Sequence, residues 1–245
     1  MNIPPFHPRA KSLSTREMLV NGFRQGMVVP EGLIAHGRGE AYDYLIGERT
    51  TKIARRAIKS AAAMLLLSNR PVISVNGNTA ALCAADVVQL ARVTGAAIEV
   101  NLFYRTEERE RAIKSDLQAH GAKEVLGVGS SASARIPELQ SERRRVDPDG
   151  IYIADTVLVP LEDGDRTEAL AKMKKKVIAV DLNPLSRTSI AANITIVDNV
   201  VRTMPALVQA ARALTGSKSL KAIVDNFDNK KNLQDSLRIV KGGVQ

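Results

Sequence analysis

Pro71-Val72-Ile73-Ser74-Val75-Asn76-Gly77-Asn78-Thr79-Ala80-Ala81-Leu82 is the stretch that decides the fold. Its first five residues are mostly β-branched and read as a short buried strand. A turn of small residues follows. From Thr79 the apolar positions fall at helical spacing, through Leu82, Ala85, Val87, Leu90 and Val93, and Gly95 stops the run. A strand feeding a helix through a tight turn opens a parallel β–α–β unit. Gly77 lets the backbone approach a ligand, and Asn78 or Thr79 is expected to cap the helix. Free N–H groups and the positive end of the helix dipole would then face the strand's C-terminal edge, which suits a phosphate or carboxylate. Gly77, Asn78 and Thr79 are therefore candidate substrate-binding residues. A plain helix cap is the other use of the same turn. No Gly-Lys-Ser/Thr follows, and the full dinucleotide glycine pattern is missing.

The alternation continues downstream. Short aliphatic runs stand at residues 97–100, 124–128, 156–159, 177–180 and 194–197, with helical stretches at 107–120, 166–176 and 200–214 between or after them. Buried strands alternating with helices predict a parallel sheet covered on both faces. The expected fold class is α/β, a Rossmann-like, open, mostly parallel sheet of about six strands.

Residues 1–70 read differently, as a helical segment packed on the main domain. Ser14-Thr15-Arg16-Glu17 fits a capping box for a helix running to about Gly26. Pro30-Glu31-Gly32 and His36-Gly37-Arg38-Gly39-Glu40 read as a turn-rich connector. A helix over 50–68 carries Ile53, Ala54, Ala57, Ile58, Ala61 and Leu65 on one stripe. The nucleotide-binding domain is expected over 71–216. A weakly helical tail over 217–245 frays into Lys241-Gly242-Gly243-Val244-Gln245.

Composition narrows the function. The 245 residues hold 35 Lys+Arg against 26 Asp+Glu, a formal net charge of +9, with 4 Phe, 4 Tyr and no Trp. Positive charge concentrates anionic partners. A nucleic-acid face would add stacking aromatics or an Arg/Gly-rich strand motif. Neither is visible, so phosphorylated small molecules are the expected partners, with no nucleic acid and no membrane. The basic runs Arg143-Arg144-Arg145 and Lys172-x-Lys174-Lys175-Lys176 read as a solvated loop and a helix end. A single cysteine, Cys83, offers neither a disulfide nor a zinc or iron–sulfur site, which fits a cytoplasmic protein. The start, Met1 to Arg9, has no apolar segment of a signal peptide.

Two further candidates lie at strand ends. Asp181-Leu182-Asn183-Pro184-Leu185-Ser186-Arg187-Thr188 follows the run at 177–180, and Asp198-Asn199 follows the next. Adjacent strand ends of an open sheet are where such folds bind ligands. Side-chain carbonyls and carboxylates can read an adenine or a ribose, and Arg187 can fork onto phosphate. Glu99 lies about 20 residues beyond Gly77, where a dinucleotide fold places its ribose acid. An NAD(P)-dependent oxidoreductase using Gly77 and Glu99 is accordingly the alternative. Arg16 and Arg38 complete the candidates. Arg38, between two glycines, can sit close to an anion, whereas His36 reads as a structural residue. No His/Cys metal spacing and no Ser/His/Asp order is present, so the metal ligands stay unassigned.

Taken together, His7-Pro8-Arg9, Ser14-x-Arg16-Glu17 and the run from Gly32 to Glu48 around Ala35-His36-Gly37-Arg38-Gly39-Glu40 resemble the archaeal 4-phosphopantoate–β-alanine ligase (phosphopantothenate synthetase) family. Val75 to Leu82, Asp181 to Thr188 and Val197-Asp198-Asn199 resemble it too, so that the likeness spans about His7 to Leu214. The resemblance implies a Rossmann-like homodimer of coenzyme A biosynthesis. Its reaction would join 4-phosphopantoate to β-alanine with ATP, and Mg²⁺ on the phosphates, through an acyl-adenylate, releasing AMP and diphosphate. It further implies ATP contacts at Arg16, Arg38, Asp181, Leu182, Asn183, Arg187, Thr188, Asp198 and Asn199, with Arg16, Arg38 and Arg187 as the charge-stabilising, catalytic candidates.

Overall fold

The computed structural model describes residues 4, 6–7, 9–161 and 163–242. Pro8 of the His7-Pro8-Arg9 motif and the Gly243-Val244-Gln245 end lie outside them. Three helices come first: α1 (Ala10–Arg24), α2 (Pro30–Leu45) and α3 (Lys52–Leu67). Then follow β1 (Pro71–Val75), α4 (Gly77–Thr94), β2 (Ala97–Val100) and α5 (Glu107–Ala119). A loop region carries the short antiparallel pair β3 (Ala134–Arg135) and β4 (Arg145–Val146). The rest is β5 (Thr156–Val159), α6 (Gly164–Lys172), β6 (Lys176–Val180), α7 (Arg187–Ala191), β7 (Ile194–Ile196), α8 (Val200–Leu214), α9 (Leu220–Asp225) and α10 (Asn229–Gly242).

The main sheet is parallel, in the order β2-β1-β5-β6-β7, with Ile73 paired to Ile98 on one side and to Leu158 on the other. Successive side chains of each strand go to opposite layers. Ile73, Val75, Ile98, Leu158, Ile178 and Ile196 join α3, α4 and α8 in one core, whereas Val72, Val157, Val159 and Val177 join Leu170 of α6 with Ile136, Val146 and Ile151 in another. Each fully buried aliphatic side chain contributes about 1.5–3 kcal/mol, which is why continuous Val/Ile/Leu runs become central strands. The chain leaves β1 toward β2 and returns on β1's other side as β5, so the strand order reverses between β1 and β5. Open α/β sheets hold their ligands at the C-terminal edge beside such a reversal.

The α/β class and the helical N-terminal segment stand; the sheet has five strands. Residues 124–128 make only one bridge, Leu126 to Glu99, because Gly127 (φ +74°) turns the chain away. Ser14 lies inside α1 and not at its start: Ala10 and Lys11 are good helix formers and carry the helix a turn further upstream. The expected connector is the helix α2. Pro30 starts it with φ already set, and Asn78 Nδ2 donates to Gly32 O at 2.8 Å. The tail forms two helices, and α10 covers the edge strand through polar anchors. Asn229 Nδ2 donates to Ser189 O (3.0 Å) and Ala192 O (2.9 Å), and Asn232 Nδ2 donates to Thr195 O (2.9 Å). Among the described residues no helix is long and apolar enough to cross a membrane.

Candidate active site

A cavity of about 820 Å³ opens at the C-terminal ends of β1, β6 and β7, roofed by α2. Gly77 and Asn78 line it after β1, Asp181, Leu182 and Asn183 after β6, and Asp198 and Asn199 after β7. Arg38, His36 and Glu40 reach it from α2. Thr79, Arg16, Arg187 and Thr188 lie outside that lining.

The turn after β1 is held from within. Asn76, two and three residues ahead of the expected caps Asn78 and Thr79, accepts from Thr79 N at 2.9 Å and from Thr79 Oγ1 at 3.1 Å. Thr79 is consequently buried beneath the turn. Gly77 has no room for a side chain: a Cβ there would lie 2.0 Å from Met27 O and 2.8 Å from an Arg109 nitrogen.

Local Asx turns shape the loop after β6. Asn183 N donates to Asp181 Oδ1 at 2.9 Å and Leu185 N to Asn183 Oδ1 at 3.0 Å, while Ser186 Oγ donates to the other Asp181 oxygen. Leu182 faces α2, with its Cδ1 3.6 Å from where a Gly39 Cβ would stand. The loop after β7 is tied to the helical segment instead. Arg202 donates to Asp198 Oδ1 (2.8 and 2.5 Å) and to both oxygens of Asp43 (3.1 and 2.5 Å). Asn199 Nδ2 donates to Asp43 Oδ2 at 2.7 Å, and Thr50 Oγ1 to Asp198 Oδ2 at 2.6 Å. Asp198 and Asn199 thus reach the cavity on a rigid, charge-paired mount.

The arginines differ. Arg38 lines the cavity directly. Arg16 Nε forks onto Glu40 at 3.1 and 3.0 Å, and Nη2 donates to Tyr44 Oη at 3.1 Å; Glu40 holds its guanidinium above the ordinary range. Arg187 pairs with Glu168 and Asp165, both at 2.7 Å, and its exposed guanidinium is raised first by Glu168 and then by Asp165. Thr188 is buried, its Oγ1 accepting from Asp163 N at 2.9 Å. His36 Nε2 is buried with no hydrogen-bond partner among the described residues, and burial lowers the imidazole below its ordinary value.

Glu99 is not a ribose acid. It is fully buried, accepting from Asp147 N at 3.1 Å and Ile151 N at 2.5 Å, and a Gly150 Cβ would stand 2.0 Å from its Oε2. The carboxylate brackets a backbone turn and leaves no space for a sugar. Nothing else supports the oxidoreductase alternative. The Arg143-Arg144-Arg145 run is likewise no solvated loop, because Arg143 is largely buried and lines the cavity. Arg109 lines it too. Neither was a candidate from sequence: in Glu107-Glu108-Arg109-Glu110 nothing marks the one arginine that turns inward.

Among the described residues no three His, Cys, Asp or Glu side chains converge to hold a metal ion. Asp181 and Asp198, the carboxylates at the strand ends, are already engaged by hydroxyl, backbone or arginine donors.

Residues 53–243 match the family model described as phosphopantothenate/pantothenate synthetase. The chain is 53% identical over 240 residues to a 4-phosphopantoate–β-alanine ligase of Thermococcus kodakarensis, covering 97% of this chain and 91% of that one. It is 49% identical over 255 residues to the Thermococcus onnurineus protein of the same name, covering 100% and 97%. It is 50% identical over 238 residues to that of Methanosarcina mazei, covering 96% and 93%. With the strand-end cavity in place and likeness of this extent, the chain belongs to the phosphopantothenate/pantothenate synthetase family.

Proposed function

We propose that this protein is an ATP-dependent ligase that joins 4-phosphopantoate to β-alanine, giving 4′-phosphopantothenate, AMP and diphosphate. One observation carries the reading: Asp181-Leu182-Asn183, Asp198-Asn199 and Gly77-Asn78 face one another across a single cavity roofed by Arg38.

A carboxylate resists an amine at pH 7 because its leaving group would be oxide. Adenylation removes that obstacle. An oxygen of the pantoate carboxylate attacks the α-phosphorus of ATP, the bond to the bridging oxygen breaks, and diphosphate leaves. The amine of β-alanine, having lost a proton, then attacks the acyl carbon, and AMP departs with the bonding electron pair. The protein's part is to align the reactants and to offset negative charge growing on the phosphates. In this reading Asp181, Leu182, Asn183, Asp198 and Asn199 hold the adenosine, and the Gly77-Asn78-Thr79 turn receives phosphopantoate. Arg16, Arg38 and Arg187, with Thr188, work on the triphosphate. Arg187 reaches it by exchanging Glu168 for phosphate, a solvent-screened pair that is easily given up. Among the described residues no cluster of carboxylates would hold Mg²⁺ by itself, and an ion accompanying the nucleotide would supply charge neutralisation on its phosphates. Exposed Ile34, Tyr44 and Leu45 along α2 support a homodimer, and the buried Cys83 thiol supports a reducing cytosol.

The test is incubation with ATP, Mg²⁺, 4-phosphopantoate and β-alanine, with products identified by mass spectrometry. Equal amounts of amide, AMP and diphosphate are expected, and an adenylate when β-alanine is omitted. ADP with phosphate would overturn the adenylate step, and absence of the amide would overturn the ligase. A stability gain with NAD(P)H and none with ATP would do the same.

A further inference from the structure

Below the Gly77 turn, on the β1–β2 side of the cavity, lies a cluster of positive charge that the residues assigned to the nucleotide do not use. Arg109 is 8% exposed, yet among the described residues its side-chain hydrogen bonds go to main-chain carbonyls, Met27 O at 2.8 Å and Tyr104 O at 2.5 Å. Arg143 pairs with Asp163, and its Nε is buried with no hydrogen-bond partner among the described residues. Arg166, 1% exposed, leans on the same Asp163 at 2.9 Å. Arg143 and Arg166 thus share the Asp163 carboxylate, and Glu31, which also lines the cavity, is the acid that acts on Arg109, so three guanidinium groups face two carboxylates. Burial, then the charges of Arg166 and Arg109, push the Arg143 guanidinium below its ordinary range. A buried cluster with more cations than carboxylates is stabilised when an anion enters.

Arg109 and Arg143 both line the cavity, and Arg109 lies directly under the glycine whose backbone faces it. We infer that Arg109 and Arg143 bind the phosphomonoester of 4-phosphopantoate and so select the phosphorylated acid over free pantoate. A phosphomonoester carries about −1.5 to −2 charge at pH 7 and three acceptor oxygens, a match for two forked guanidinium groups. The inference rests on the ligase reading. Within it, the cluster and the loops assigned to ATP line one cavity, and Asp163 N donates to Thr188 Oγ1 at 2.9 Å, so it is the parallel ATP-binding measurement that tells the two phosphate sources apart.

The experiment is steady-state kinetics of full-length Arg109→Gln and Arg143→Gln, with Arg109→Lys as the conservative variant, on 4-phosphopantoate and on pantoate. ATP binding is measured calorimetrically in parallel. Gln at 109 keeps an N–H for a carbonyl and removes the charge. Each Gln variant should raise the KM for 4-phosphopantoate on the order of 10- to 100-fold, the loss of a charged hydrogen bond. ATP affinity should stay as in the wild type, the preference for 4-phosphopantoate over pantoate should shrink, and Arg109→Lys should recover part of the loss. An unchanged KM, an equal loss on pantoate, or a Gln variant that no longer binds ATP would each overturn the assignment. If the wild type forms no phosphopantothenate at all, the ligase reading itself has failed.

Discussion

Replacing Arg202 with methionine tests whether the nucleotide side of the cavity is mounted on a charge network rather than on loop conformation alone. The side chain bridges Asp43 of α2 and Asp198 after β7, at 5% and 1% exposure. Methionine keeps an apolar stem and removes the cation, leaving two buried carboxylates facing each other. Breaking a buried pair by deleting one partner costs about 3–5 kcal/mol. For a chain of this size that lowers Tm by about 6–20 °C. The assays are thermal unfolding and calorimetric ATP binding, which should weaken as Asp198 and Asn199 lose their mount. A stability loss below about 1 kcal/mol, or an unchanged ATP affinity, would refute the reasoning.

Other predictions follow from single residues. Arg38→Ala should leave Tm unchanged, because the side chain is exposed, yet cost about 2–4 kcal/mol of transition-state stabilisation in an AMP-release assay. Gly77→Ala sets a Cβ 2.0 Å from the Met27 carbonyl, and since backbone cannot swing aside it should lose about 1–3 kcal/mol or more by denaturant unfolding. Burial pushes the Glu99 carboxyl from 4.5 up to about 7, against two backbone N–H groups that pull it down. Between those values the folded protein holds a proton that the unfolded chain has released, so this group's stabilisation fades as pH rises through the window. Subtracting the unfolding curve of Glu99→Gln from that of the wild type should expose that decline.

Much of this architecture can be read from the chain, for identifiable reasons. The central strands announce themselves because both faces are buried, which forces unbroken aliphatic runs such as Val72-Ile73 and Val177-Ile178. The bounds of α8 come out as expected, set by Asn199 as cap and the Thr215-Gly216 stop. The connector that became α2 misleads because each interior glycine costs a helix about 1 kcal/mol against Ala. Contacts invisible in sequence override that cost: a Cβ at Gly32 would meet Asn78 Oδ1 at 2.5 Å. α10 is hard to see because asparagines, not an apolar stripe, fasten it to the edge strand. At the site, the polar strand ends are legible because position along the sheet suffices to bring them together. Arg109 and Arg143 are not, since only tertiary packing shows which guanidinium groups turn inward.

The most direct measurement is a crystal structure of the protein with ATP. The account predicts adenosine between the Asp181–Asn183 and Asp198–Asn199 loops and a triphosphate approached by Arg38, with Arg16 and Arg187 turned toward it. Nucleotide bound elsewhere, or a filled cavity with those three arginines directed into solvent, would contradict it.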